Sequence, residues 1–149
     1  MIAHIEHEGT LYALIVRNGF KATGVRFFTP NEAPQQLAYI SHGKGKLIPP
    51  HTHNLVHREI EQTQEILIVK SGRMRVDFYT EEAVYFESRV IEPWDILFLA
   101  RGGHGFEILE PIEMIEIKQG PYAGTEDKTI FGQGAPETIV LKPETIVLK

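Results

Sequence analysis

The chain has 149 residues, 42% hydrophobic and 23% charged, with a formal net charge of −5 and no cysteine. That length suits one domain with a real core, and the acidic balance without any basic run argues against a nucleic-acid surface, because phosphate binding draws on clustered Lys and Arg. Disulfides and thiolate ligands are excluded, so any metal must be held by imidazole, carboxylate or carbonyl groups.

At the start of the chain, MIAHIEHEGT has no basic region followed by an apolar core. No later apolar stretch approaches the roughly 20 residues that a bilayer crossing needs, so the expectation is a cytoplasmic protein with no membrane contact. His4 and His7 read as surface residues of this polar segment, and His42 as a turn residue before GKGK. Apolar or alternating runs then recur along the chain: TLYALIV, QQLAYIS, EILIVK, RMRVDFY, AVYFESRVI, DILFLA, GFEIL and EMIEIK. Between them stand the turn-forming stretches RNGF, HGKGK, KSGR, EPWD, ARGGHG and LEPIE. Short strands punctuated by Gly, Pro, Asn and Asp predict an all-β sandwich or barrel with little helix.

Parity refines two of these strands, since alternate residues of a strand point to opposite faces. Met74, Val76 and Phe78 share one face, expected in the core, while Arg73, Arg75, Asp77 and Tyr79 share a wetter one. From Ile66 to Val69 both faces are apolar, which predicts cover on both sides, either by the second sheet plus a loop or by another subunit of a homodimer. Residues 1–135 form the expected single domain. The last residues repeat PETIVLK without change, at 136–142 and again at 143–149. A tandem duplication explains the repeat, and each copy, opened by proline, reads as a short edge strand able to pair with its own sheet or a neighbouring chain.

Chemistry concentrates in PPHTHNLVHREIEQTQE, residues 49–65. His51 and His53 are two apart, so on an extended segment both rings leave the same face and can reach one ion. Here the sequence resembles the cupins, small jelly-roll barrels whose first motif is Gly, five residues, His-x-His, a short gap, Glu, six residues and Gly. Gly45, His51 and His53 match its front, and Glu65 and Gly72 match its back. The gap between them is eleven residues, NLVHREIEQTQ, where the family has three or four. Counting forward reaches His57 and Arg58, which makes His57 an alternative ligand; counting backward from Gly72 selects Glu65. Glu65 precedes ILIV directly, and if it faces inward then Leu67 and Val69 follow it. Glu59 and Glu61 read as loop surface.

The family's second motif supplies one more histidine from a later hairpin. EPWDILFLARGGHGFEIL resembles it, with Trp94 and Asp95 standing for Gly-Asp and His104 for the histidine. It departs from the pattern in lacking the proline, in an approach one residue shorter, and in having no following asparagine. The glycines around His104, Gly102, Gly103 and Gly105, permit unusual backbone angles and close approach near a site. The resemblance spans roughly residues 45–119. It implies a cupin-like jelly-roll barrel of two antiparallel sheets and a metal centre of His51, His53, Glu65 and His104, with open positions for water or substrate.

Three imidazoles and one carboxylate suit Fe, Mn, Ni, Co or Zn. The expected partner is a small polar substrate, an organic acid or a sugar. The expected activity is that of a metal-dependent oxygenase, oxidoreductase, decarboxylase, isomerase or epimerase, among which fold alone does not choose. Arg75, Arg101, Tyr79 and Tyr85 have ordinary surface explanations as well as possible substrate contacts. If Glu65 is the ligand, His57 is the first candidate for proton transfer, given an unperturbed imidazole pKa of about 6.5. Two other readings stand beside this one: a non-catalytic sensing or binding cupin with a structural metal or none, and a β-rich assembly piece joined through its tail.

Overall fold

A computed structural model describes residues 1–132 and 134–143. Of the repeated tail, residues 144–149 therefore lie outside the described residues. Among the described residues eight strands run in chain order: β1 (Ile2–His7), β2 (Thr10–Val16), β3 (Gly24–Phe27), β4 (Ala38–Ser41), β5 (Glu65–Tyr79), β6 (Tyr85–Ile91), β7 (Ile96–Leu99) and β8 (Gly103–Lys118). Helix among the described residues is limited to one 3₁₀ turn at Gly124–Asp127, and no helix there is long and apolar enough to cross a membrane. The protein is all-β. The chain divides into two compact units, Met1–Phe20 with Thr63–Lys149, and Lys21–Gln62.

In the first unit, six antiparallel strands form a strongly curled sheet, half of a barrel, ordered β1-β2-β7-β5-β6 with β8 also on β5. β8 pairs with β5 along its whole length, from Glu65↔Lys118 to Tyr79↔Gly103. The opposite edge of β5 is shared by β7, which pairs with Glu65 to Ile68, and β6, which pairs with Met74 to Tyr79. The turn EPWD joins these two strands end to end.

KSGR and LEPIE, expected as turns between strands, instead lie inside β5 and β8 as bends. The β5–β8 register slips between Val69 and Ser71, between Ser71 and Arg73, and between Arg73 and Met74. There Gly72 has φ +79°, and a Cβ on it would stand 2.0 Å from the Pro111 carbonyl oxygen. No side chain fits that space, so only glycine lets the two strands turn together.

The core lies on the concave face. Ala3, Ile5, Ala13, Ile15, Leu67, Val69, Met74, Val76, Phe78, Ile91, Leu97 and Leu99 form one buried cluster. As parity predicts, Leu67 and Val69 join it before the bend and Met74, Val76 and Phe78 after it. Ile66 is buried too, on the other face, in a row with Leu14 and Phe98. The expected wetter face of RMRVDFY is drier than its charges suggest, because Asp77 is only 3% exposed. Arg75 meets both Asp77 oxygens, through Nε at 2.7 Å and a terminal nitrogen at 3.0 Å, and Ser88 donates to the same carboxylate. Three charge-assisted bonds make that burial tolerable.

The N-terminal segment, read from sequence as polar surface, forms β1 and pairs with β2 through the Glu8-Gly9 turn. Its His7 stacks on Phe86 at 4.8 Å.

The second unit is a hairpin, β3 with β4, from Gly24↔Ser41 to Phe27↔Ala38. Gln36 ties its loop by bonding Thr29 and the backbone carbonyls of Pro30 and Ala33. Residues 42–62 follow without a strand, and LIPPHTH is exposed chain rather than a β-strand.

Candidate functional site

Glu65 opens β5 on the concave side, the same parity as Leu67 and Val69. His104 stands near the start of β8, paired with Phe78 at the other end of β5, and so faces the same way. The bend brings the two together: His104 Nε2 lies 3.2 Å from Glu65 Oε2, with side chains 28% and 18% exposed. Two of the four expected ligands, placed by sequence in different motifs, are thus neighbours at the rim of the half-barrel.

The hydrogen bond from His104 holds the Glu65 carboxyl below the usual carboxylate range. Burial opposes that shift, and the Lys118 charge and a bond with Glu116 add to it. Sequence reasoning missed this surround. Lys118 closes β8 opposite Glu65 and is itself paired with Asp127 at 3.2 Å, which raises its pKa. The register Glu65↔Lys118 depends on the long-range strand pairing, so no local pattern announces it.

His51 and His53 lie in the second unit, neighbours of each other with ring centroids 5.4 Å apart and edge-on. His51 Nδ1 is 3.0 Å from the Pro49 carbonyl oxygen. In a neutral ring whose Nδ1 hydrogen is spent on that carbonyl, Nε2 keeps its lone pair for an ion. His57, Glu59 and Glu61 are exposed in the same strandless stretch. Among the described residues no group of three or more His, Asp or Glu stands close enough to hold an ion. What the structure assembles is therefore a carboxylate–imidazole pair in one unit and an imidazole pair in the other.

The donor chemistry of each pair suits a divalent transition metal. With Nε2 unprotonated, His104 and Glu65 turn one nitrogen and one oxygen lone pair toward common space. With Nε2 protonated, they bond to each other.

The second motif also has a structural account. Trp94 has φ +66°, the left-handed region that glycine occupies at least cost. Asp95 is 2% exposed and fastens the turn, accepting from Arg17 at 2.6 Å and from the backbone N–H groups of Asn18 and Glu92 at 2.9 Å. The glycines beside His104 serve packing. A Cβ at Gly103 would stand 2.5 Å from the Phe131 ring, and one at Gly102 would stand 2.5 Å from the Tyr79 carbonyl oxygen.

Tyr79, Tyr85 and Arg75 lie on the face of β5 and β6 opposite the core. Tyr79 packs edge-on against Phe131 and Tyr85, and its burial raises the phenol pKa. Arg75 is spent on Asp77 and Glu107, and Arg101 is 3.8 Å from Glu81. Each has a structural partner away from Glu65 and His104.

No protein-family model matches the chain, and no curated protein or solved structure matches it either. The fold and the site geometry are all that carry a functional reading.

Proposed function

We propose that this protein is a metal-binding barrel of the cupin type, an enzyme that acts on a small organic acid or sugar at a centre of His51, His53, Glu65 and His104. The observation that supports it is the 3.2 Å approach of His104 to Glu65, the carboxylate and histidine that the two motifs single out independently. The left-handed backbone at Trp94, where the family pattern has glycine, points the same way. So does β8: among the described residues it is paired along one edge only, with Phe106, Ile108 and Met114 exposed. A further strand there would complete a jelly roll. When bound, Fe, Mn, Ni, Co or Zn supplies Lewis-acid polarisation of a substrate oxygen. The chain's own groups do the rest: Glu65 and the three imidazoles hold the ion, and His57 moves the proton.

Elemental analysis of the purified protein tests this, with one equivalent of transition metal expected. Glu65→Gln and His104→Ala should each cut metal affinity by about 10-fold or more, while His57→Ala keeps the metal and loses turnover. If His57→Ala loses the metal and Glu65→Gln keeps it, the motif is anchored from the wrong end. If the protein takes up no metal and His51→Ala with His53→Ala changes nothing, the metal centre is refuted. A non-catalytic binding barrel is then the better reading, favoured by the Glu65–His104 bond being complete in itself.

A further inference from the structure

The outer edge of β6 is a seat for one strand, and the chain carries two identical candidates for it. The first copy, residues 136–142, meets it through one parallel bridge, Leu141 to Ser88. The Ser88 N–H donates to the Val140 carbonyl at 2.9 Å. The Val140 N–H donates to the Tyr85 hydroxyl at 2.8 Å. Tyr85 in turn meets Ser88 Oγ at 2.7 Å, and Ser88 bonds Asp77. With Asp77 acting only as acceptor, those hydroxyls have one arrangement: Val140 gives to Tyr85, Tyr85 to Ser88, and Ser88 to the carboxylate.

Beside them the Lys142 ammonium is 2.6 Å from Glu87, whose side chain is 2% exposed and which also accepts from Arg89 at 2.8 Å. Arg89 further donates to the Pro143 carbonyl at 3.2 Å. This is strand addition read by two backbone groups, one ammonium and one carbonyl.

We propose that residues 143–149 bind this same seat in place of 136–142, so that β6 has two interchangeable occupants in one chain. Val147 and Lys149 stand seven residues after Val140 and Lys142 within an unchanged sequence. They supply the same N–H, C=O and ammonium. The connection from β8 is already roughly 20 residues long, and lengthening it by one repeat disfavours closure by only about 1.5-fold.

Full-length charge-reversal variants test the exchange, with the Ser88 amide hydrogen-exchange rate as readout. Lys142→Glu puts a second carboxylate against that of Glu87 and should expel the first copy. Lys149→Glu should be silent. Expected protection in either single variant stays within about threefold of the parent, and the double variant exchanges at least about tenfold faster. Val140→Pro and Val147→Pro, singly and together, repeat the test by removing the N–H that Tyr85 accepts. If Lys142→Glu alone exchanges as fast as the double variant, the first copy is the sole occupant and the proposal falls. It falls equally if the double variant stays protected, or if protection in Lys142→Glu rises with protein concentration alongside a dimer, since the strand would then come from another chain.

Discussion

Replacing Gly72 by Ala separates two costs that glycine avoids at the β5–β8 bend. The left-handed backbone at φ +79° costs an ordinary L-residue about 1–2 kcal/mol. The added methyl would also stand 2.0 Å from the Pro111 carbonyl oxygen and 2.8 Å from Ile112 Cα, atoms of backbone that cannot rotate aside. Forced overpacking of this kind adds about 1–3 kcal/mol. Gly9 supplies the control: it has φ +76°, and a methyl added there would meet nothing within 4 Å, so Gly9→Ala carries the first cost alone. Urea unfolding followed by far-UV circular dichroism should show Gly9→Ala destabilised by about 1–2 kcal/mol and Gly72→Ala by about 2–5 kcal/mol. In thermal melts the excess of Gly72→Ala should appear as about 2–4 °C per kcal/mol. Losses equal within about 0.5 kcal/mol would refute the close approach, and with it the claim that the bend can only be glycine.

Acid should act through Glu65. Its folded-state pKa lies below the ordinary 4.5, so its contribution is fully present above the unfolded value and is lost as pH falls through the folded one. Unfolding free energy of the parent should therefore decline below about pH 4.5 more steeply than that of Glu65→Gln, and parallel declines would remove Glu65 from the linkage. Trp94→Gly should raise stability by about 0.5–1 kcal/mol, the relief of the positive φ less the backbone entropy that glycine loses on folding, since the side chain is 57% exposed; the urea midpoint is read by circular dichroism because the only tryptophan is gone. A loss of stability would mean that the indole packs more than its exposure indicates.

Where sequence succeeded, the signal was local. Period-two alternation placed Met74, Val76 and Phe78 in the core, and the apolar run TLYALIV matches β2 residue for residue. The cupin resemblance singled out Glu65 and His104, and their side chains lie 3.2 Å apart, an approach that leaves their role as ligands a proposal. Where sequence fell short, the cause was distant. KSGR and LEPIE carry turn residues, yet each becomes a bend in a continuous strand because Gly72 and Pro111 meet across the β5–β8 pair. Asp77 sits on a face that parity marks as wet, and it is buried because Arg75 and Ser88 satisfy it. Lys118 enters the surround of Glu65 through a register that no window of adjacent residues encodes. The His-x-His spacing puts both rings on one face only if the segment is extended; with two prolines before it and an eleven-residue gap behind it, it has no strand structure.

The curvature of β5 has a mechanical meaning for the chemistry. Straight, a strand of 15 residues would hold its ends about 45–50 Å apart; bent at Gly72, it sets Glu65 at one end against the histidine paired with the other. Each half is then a lever arm of about 23 Å, so opening the bend by one degree moves the far tip by about 0.4 Å. The Glu65–His104 separation is a gauge of an angle fixed at the opposite extremity of the sheet. Substitutions at Gly72 or Pro111, which touch neither group, should tune that separation as directly as any change beside it.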